Sequence, residues 1–160
     1  MVVDKILGNI NEITTEKSVI NINFEWFELE KKRISKVAED GTTFGVCIEK
    51  MLADGDILAE TVDTIYTCNI TPRELIKIYV ETMEEMGRLC FELGNRHLSL
   101  KISSDNVCVP FDEPTFEYLK KLGFHAHKVV EKFTSFTECK AHGASNHVHT
   151  HSHGEHSHTH

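Results

Sequence analysis

Across the first seventy residues, apolar and polar positions alternate in short runs. Residues 2–7, 19–27, 33–37, 43–48, 57–61 and 64–70 are rich in Val, Ile, Phe and Thr. Alternation at period two turns one side of each run toward a core and predicts strands. Glu39-Asp40-Gly41 and Ala53-Asp54-Gly55-Asp56 supply turn chemistry between them. Several short strands with no helix-period segment among them predict an all-β sandwich or open barrel over residues 1–72.

After Pro72 the period changes. Residues 75–80 read as a strand, and Thr82 with Glu85 three positions on reads as a capping box opening a helix. Met83, Met86, Leu89, Cys90 and Leu93 then form one apolar face, and Gly94 is placed to stop the helix in the left-handed conformation. Residues 97–102 and 106–111 predict a hairpin around Ser103-Ser104-Asp105. A second helix opens at Asp112 and Pro114 and ends at Gly123, and residues 124–130 form a last strand. The predicted order is β-α-β-β-α-β, a ferredoxin-like unit over residues 73–135. The fold class expected is therefore α+β, followed by a flexible His-rich tail over residues 136–160.

Charge narrows the function. Seventeen Lys and Arg against 25 Asp and Glu give a net charge of -8. A nucleic-acid partner, which calls for a basic stripe against phosphate, is not expected. No apolar run approaches the roughly 18–20 residues that span a bilayer, and the N-terminus does not read as a secretory signal, so a cytoplasmic protein without a membrane partner is expected. Cys47, Cys68, Cys90, Cys108 and Cys139 include no CxxC pair and read as reduced thiols. Cys139, just ahead of the tail, is a candidate soft ligand.

Eight of the 11 histidines fall in the last 19 residues: His142, His147, His149, His151, His153, His156, His158 and His160. Most are spaced His-x-His, which turns alternate imidazoles of an extended chain the same way. Neutral imidazole suits nickel, copper and zinc, and a closed structural zinc site would usually recruit thiolates. The interruptions by Ser, Thr, Gly, Glu and Val separate this segment from a purification tag. His97, in Gly94-Asn95-Arg96-His97, sits at a helix stop and the predicted start of a strand. A lone histidine does not chelate, but two copies across a two-fold axis make a shared site. His125-Ala126-His127 share one face of the last strand, as a peripheral metal site or as ordinary exposed histidines.

The run Glu92-Leu93-Gly94-Asn95-Arg96-His97-Leu98 resembles the Gly-Asn-Arg-His signature of the urease accessory protein UreE family, the nickel metallochaperones. Ile6-Leu7-Gly8-Asn9-Ile10, Phe24-Glu25-Trp26-Phe27-Glu28 with Lys31-Lys32-Arg33, and Asp54-Gly55-Asp56-Ile57-Leu58 resemble its N-terminal domain. Tyr118-Leu119-Lys120-Lys121-Leu122-Gly123 is similar to its second C-terminal helix. The resemblance implies a peptide-binding type of β domain, a homodimer through the ferredoxin-like domain, and His97 of each subunit at a shared nickel site. It also implies delivery of Ni(II) cargo to apo-urease through a urease accessory GTPase. Where some members carry His-x-His before the second helix, this chain has Phe111-Asp112-Glu113, which implies that site is absent or remodelled.

The expectation is a protein that binds and transfers Ni(II) without turnover, with Zn(II) and Cu(II) accepted by the same donors. Two other classes are weighed against it. A metal-dependent hydrolase needs fixed ligands, a general base and an open coordination position, and no His-Glu-x-x-His or nucleophile elbow is present. A general metal buffer or peptide-binding chaperone is the other alternative. Glu25, Trp26 and Phe27 read either as core or as a partner patch, and Arg96 as a contact to a partner or the opposite subunit.

Overall fold

The computed structural model describes residues 1–137, and within them ten strands and two α-helices form a mixed α+β structure. Among these residues no helix is long and apolar enough to cross a membrane. In the first part of the chain, β1 (Val2–Val3) pairs parallel with β4 (Thr43–Cys47), which pairs antiparallel with β3 (Arg33–Val37). A second sheet sets β2 (Ser18–Phe24) parallel to β6 (Thr64–Ile70), with β5 (Ile57–Glu60) antiparallel on the other side of β6.

The alternation read from the sequence packs these sheets. Ile22 and Phe24 of β2, Phe44 and Val46 of β4, and Cys68 and Ile70 of β6 close one buried cluster with Leu29, Leu52 and Tyr66. Two expected runs are shorter. Only Val2 and Val3 of residues 2–7 form a strand, because Leu7 and Gly8 are drawn instead into backbone bonds with Ile57, with Gly8 at φ 150°. The run 19–27 ends as a strand at Phe24, because Glu25 caps a 3-10 turn over Trp26–Glu28 and its amide donates to Glu28 Oε2 at 2.9 Å.

The remaining elements are β7 (Arg73–Tyr79), α1 (Met83–Asn95), β8 (Lys101–Ile102), β9 (Asn106–Pro110), α2 (Glu113–Lys121) and β10 (His125–Glu131). They follow the expected order β-α-β-β-α-β, and their sheet runs β10-β7-β9-β8 with antiparallel neighbours throughout. Ile76, Ile78, Val107 and Val109 on one face of the central strands meet Leu89 and Leu93 of α1 and Leu119 of α2, all fully buried. Thr82 caps α1, its Oγ1 accepting from the Glu85 amide at 3.1 Å, an interaction that contributes about 1 kcal/mol. Glu85 returns its carboxylate to the amide of Glu81, one residue ahead of the cap, at 2.9 Å.

A third cluster joins the two parts. Leu75, Cys108 and Phe133 are buried on the sheet face away from the helices, and Trp26, Val129 and Phe136 pack against them. Trp26 meets Phe133 and Phe136 edge-on at 5.2 and 5.5 Å, and those two rings stack at 4.8 Å. Lys132 Nζ donates to Asp54 Oδ1 at 2.8 Å and to Asn69 Oδ1 at 2.8 Å, and Arg73 pairs with Glu25. Thr137 exchanges backbone bonds with Leu100, at 2.7 and 3.0 Å.

Candidate functional site

The end of α1 builds the surroundings of His97, and it does so differently from the sequence reading. Gly94 and Asn95 lie within the helix, and the left-handed residue is His97 itself, at φ 56°. The His97 amide donates to the Gly94 carbonyl at 2.9 Å and the Leu98 amide to the Leu93 carbonyl at 3.4 Å. This is a Schellman ending with histidine in the position that glycine usually fills. The physical reason is the apolar contact that accompanies such a turn. Ending at His97 pairs buried Leu93 with Leu98 in the core cluster, whereas ending at Gly94 would pair Cys90 with polar Asn95. His97 therefore stands in an exposed turn rather than in a strand, which begins only at Lys101.

α2 ends in the same motif with glycine in place. Gly123, at φ 86°, donates to the Lys120 carbonyl at 3.0 Å, and Phe124 donates to that of Leu119 at 3.1 Å. Leu119 and Phe124, both buried, make the apolar contact. Two helices in one small unit thus stop alike, one without strain and one with a side chain that costs about 1–2 kcal/mol in that conformation. Strain kept at an exposed turn is a pointer to function.

Arg96 precedes His97 and turns back onto α2. Its Nε donates to Thr115 Oγ1 at 3.1 Å, and its guanidinium carbon lies 4.9 Å from the centroid of the Tyr118 ring. Tyr118 in turn donates its hydroxyl to Glu92 Oε2 of α1 at 2.7 Å, a bond to an anion that, with burial, raises the phenol above its ordinary range. The Thr115 hydroxyl and amide hold the Asp112 carboxyl below the usual range, with Arg96 adding a smaller pull. The sequence named Arg96 without deciding its partner, and it gave no signal for Glu92, Thr115 or Tyr118 in this role beyond the helical spacing of the last two.

His125 and His127 are exposed on β10 and share the sheet face away from the helices. His125 stands opposite Tyr79 and His127 opposite Lys77. The Tyr79 ring meets that of His127 edge-on at 5.7 Å, and Lys77 is tied to Glu131. The ammonium in register with His127 opposes a cation there. Among the described residues no three His, Cys, Asp or Glu side chains gather around one point that could hold a metal ion. His142, His147, His149, His151, His153, His156, His158 and His160 lie outside the described residues, as does Cys139.

Of the four described thiols, Cys47 is exposed and the other three are poor metal donors. Cys68 and Cys108 are buried and Cys90 half-buried. Burial pushes the Cys68 thiol up to about 12, with the Asp56 and Asp54 carboxylates adding to the effect, and burial likewise raises Cys90 and Cys108. Since the thiolate is the ligating form, the raised pKa of these three makes them weak candidates for a metal ligand. Trp26 belongs to the packed cluster described above, while Phe27 beside it is 57% exposed.

The chain is similar to known proteins. A family model described as the C-terminal domain of the UreE urease accessory protein matches residues 73–160, more than half of the 160. A urease accessory protein UreE from Bifidobacterium longum subsp. infantis is 52% identical over 147 residues, covering 91% of this chain and 66% of that protein, so the chain spans just under two thirds of that relative's length. Another from Acetivibrio thermocellus is 33% identical over 149 residues, covering 91% of this chain and 97% of its own. A third, from Flavobacterium johnsoniae, is 30% identical over 154 residues, with coverage of 91% and 92%. The match extends through the helix end that carries His97, and on it the chain belongs to the urease accessory protein UreE family.

Proposed function

We propose that this protein is a nickel metallochaperone that collects Ni(II) with its tail imidazoles, holds it between the His97 side chains of two subunits, and passes it on for urease assembly. The observation that carries the proposal is His97 in a glycine position, exposed at the end of α1, at a cost in stability that a ligand role explains. In this reading residues 1–72 form a β domain that docks a protein partner, residues 73–135 a ferredoxin-like metal and dimerisation domain, and residues 136–160 the tail. The recipients are a urease accessory GTPase and apo-urease in the cytoplasm, and the protein turns nothing over itself.

A homodimer supplies what one subunit lacks. α1 leaves Met83 and Phe91 in solvent, 85% and 66% exposed, about two turns apart on the helix that ends before His97. Covering these side chains by a two-fold related copy buries apolar surface and brings two His97 side chains together. His125 and His127 serve at most as a peripheral second site. Zn(II) and Cu(II) bind the same donors, and metal supply in the cell selects among them.

Nickel titration calorimetry at pH 7.5 tests the proposal. The full chain takes up several nickel ions per dimer. Deleting residues 142–160 leaves about one shared site, and His97→Ala in that background removes it. A shared site that survives His97→Ala overturns the assignment. Protonation competes with nickel for imidazole, whose ordinary pKa is about 6.5, so the affinity is full above that value and falls as pH drops through about 6. Repeating the titration at pH 5.5 checks the sign: uptake unchanged at that pH excludes imidazole as the main donor.

A further inference from the structure

We infer that Arg96, Thr115 and Tyr118 are positioning residues for His97: α2 grips the Arg96 side chain and through it holds the left-handed turn that presents the imidazole. The inference rests on His97 as a nickel ligand and adds the part of the protein that keeps the ligand in place.

The links form a closed circuit between the two helices. Glu92 of α1 accepts from Tyr118 of α2, the Tyr118 ring lies against the Arg96 guanidinium, and Arg96 Nε donates to Thr115, one turn ahead of Tyr118 on α2. Thr115 is only 2% exposed, so its hydroxyl is a fixed point rather than a mobile surface group. Arg96 is the last residue before the left-handed one, and its own amide donates to the Leu93 carbonyl at 3.1 Å. Holding its side chain leaves the turn little freedom to unwind.

The comparison with the end of α2 shows why such a grip is needed. Gly123 adopts its conformation without cost, whereas His97 relaxes if the last turn of α1 frays. A strained backbone persists only where its surroundings over-determine it. The guanidinium does not itself ligate a metal, because it carries no lone pair and stays protonated. Groups that orient a metal ligand in this way usually change affinity when altered, without touching the metal.

The test uses the full chain with 15N-labelled imidazoles, Ni(II) alone as the probe, and the His97 resonance assigned by its loss in His97→Gly. Thr115→Val keeps the shape of the side chain and removes the acceptor for Arg96. Arg96→Lys keeps the charge and removes both the flat face and the Nε donor. Both variants are expected to need about tenfold more nickel to broaden the His97 signal, while the tail imidazoles respond as in the parent protein. Thr115→Ser, which keeps the hydroxyl, restores the parent response; a merely structural role for Thr115 predicts no such selectivity within one molecule. In the metal-free protein the His97 and Leu98 amides are expected to exchange about tenfold faster in Thr115→Val and Arg96→Lys, since both are bonded in the turn that loosens. If His97 broadens in the parent and equally in both variants, with unchanged amide exchange, the inference is overturned. If Thr115→Val fails to fold, the exposed Arg96→Lys variant decides alone. A parent protein whose His97 signal ignores nickel sinks the nickel reading, and amide exchange then judges the grip separately.

Discussion

Replacing His97 with glycine gives a more stable protein than replacing it with alanine, and either change abolishes the shared nickel site proposed above. A side chain at φ 56° carries about 1–2 kcal/mol of backbone strain, which glycine does not feel. Glycine gives back about 0.4–1 kcal/mol through the larger freedom of its unfolded chain. The net advantage of glycine over alanine is on the order of 0.5–1 kcal/mol, about 2 °C in the unfolding midpoint of a chain this size. His97→Ala loses the same imidazole but gains no relief, because alanine keeps the Cβ and its strain. Differential scanning calorimetry on both variants reads the sign, and nickel titration reads the loss of the site. If the glycine variant is no more stable than the alanine variant, the left-handed turn at His97 is not the strained feature argued above.

Truncating Phe133 produces the largest loss of stability expected from any single change considered. Phe133 is fully buried, stacked on Phe136, met edge-on by Trp26, and packed with Leu75 and Cys108. Phe133→Ala removes that ring from the junction and costs about 3–5 kcal/mol, from lost transfer energy and the cavity left behind. Trp26 is the only tryptophan in the chain, so its fluorescence reports the junction directly. The expected result is a red-shifted emission in the folded state together with an early urea transition. A variant with parental emission and a midpoint within experimental error would show that the cluster does not join the two parts energetically.

Much of the architecture was legible because alternation and turn residues agree. The runs 33–37 and 64–70 coincide with β3 and β6, and the cap at Thr82 lies where the sequence places it. The errors arise where a local signal met a stronger tertiary one. Gly94 is the better stop by backbone preference alone, but the contact between Leu93 and Leu98 moves the stop to His97. The spacing of that pair is the same as that of Leu119 and Phe124, and it was the available clue. The grip on Arg96 was invisible because its parts lie 19 residues apart or more on two helices, from Arg96 to Thr115 and from Glu92 to Tyr118. His97 was legible as a candidate ligand from its resemblance to the family motif, but not as a strained residue.

The backbone pairing of Thr137 with Leu100 has a kinetic consequence. Leu100 is three residues from His97, at most about 10 Å along the chain, and the two paired residues stand about 5 Å apart. The described residues therefore end within about 15 Å of the His97 turn, and the five-residue step from Thr137 to His142 can reach at most roughly 17 Å. In the proposed function, a nickel ion released by a tail imidazole meets His97 as a tethered neighbour, at an effective concentration in the millimolar range. Loading from the tail is then first-order in protein, and dilution of the cell contents leaves its rate unchanged.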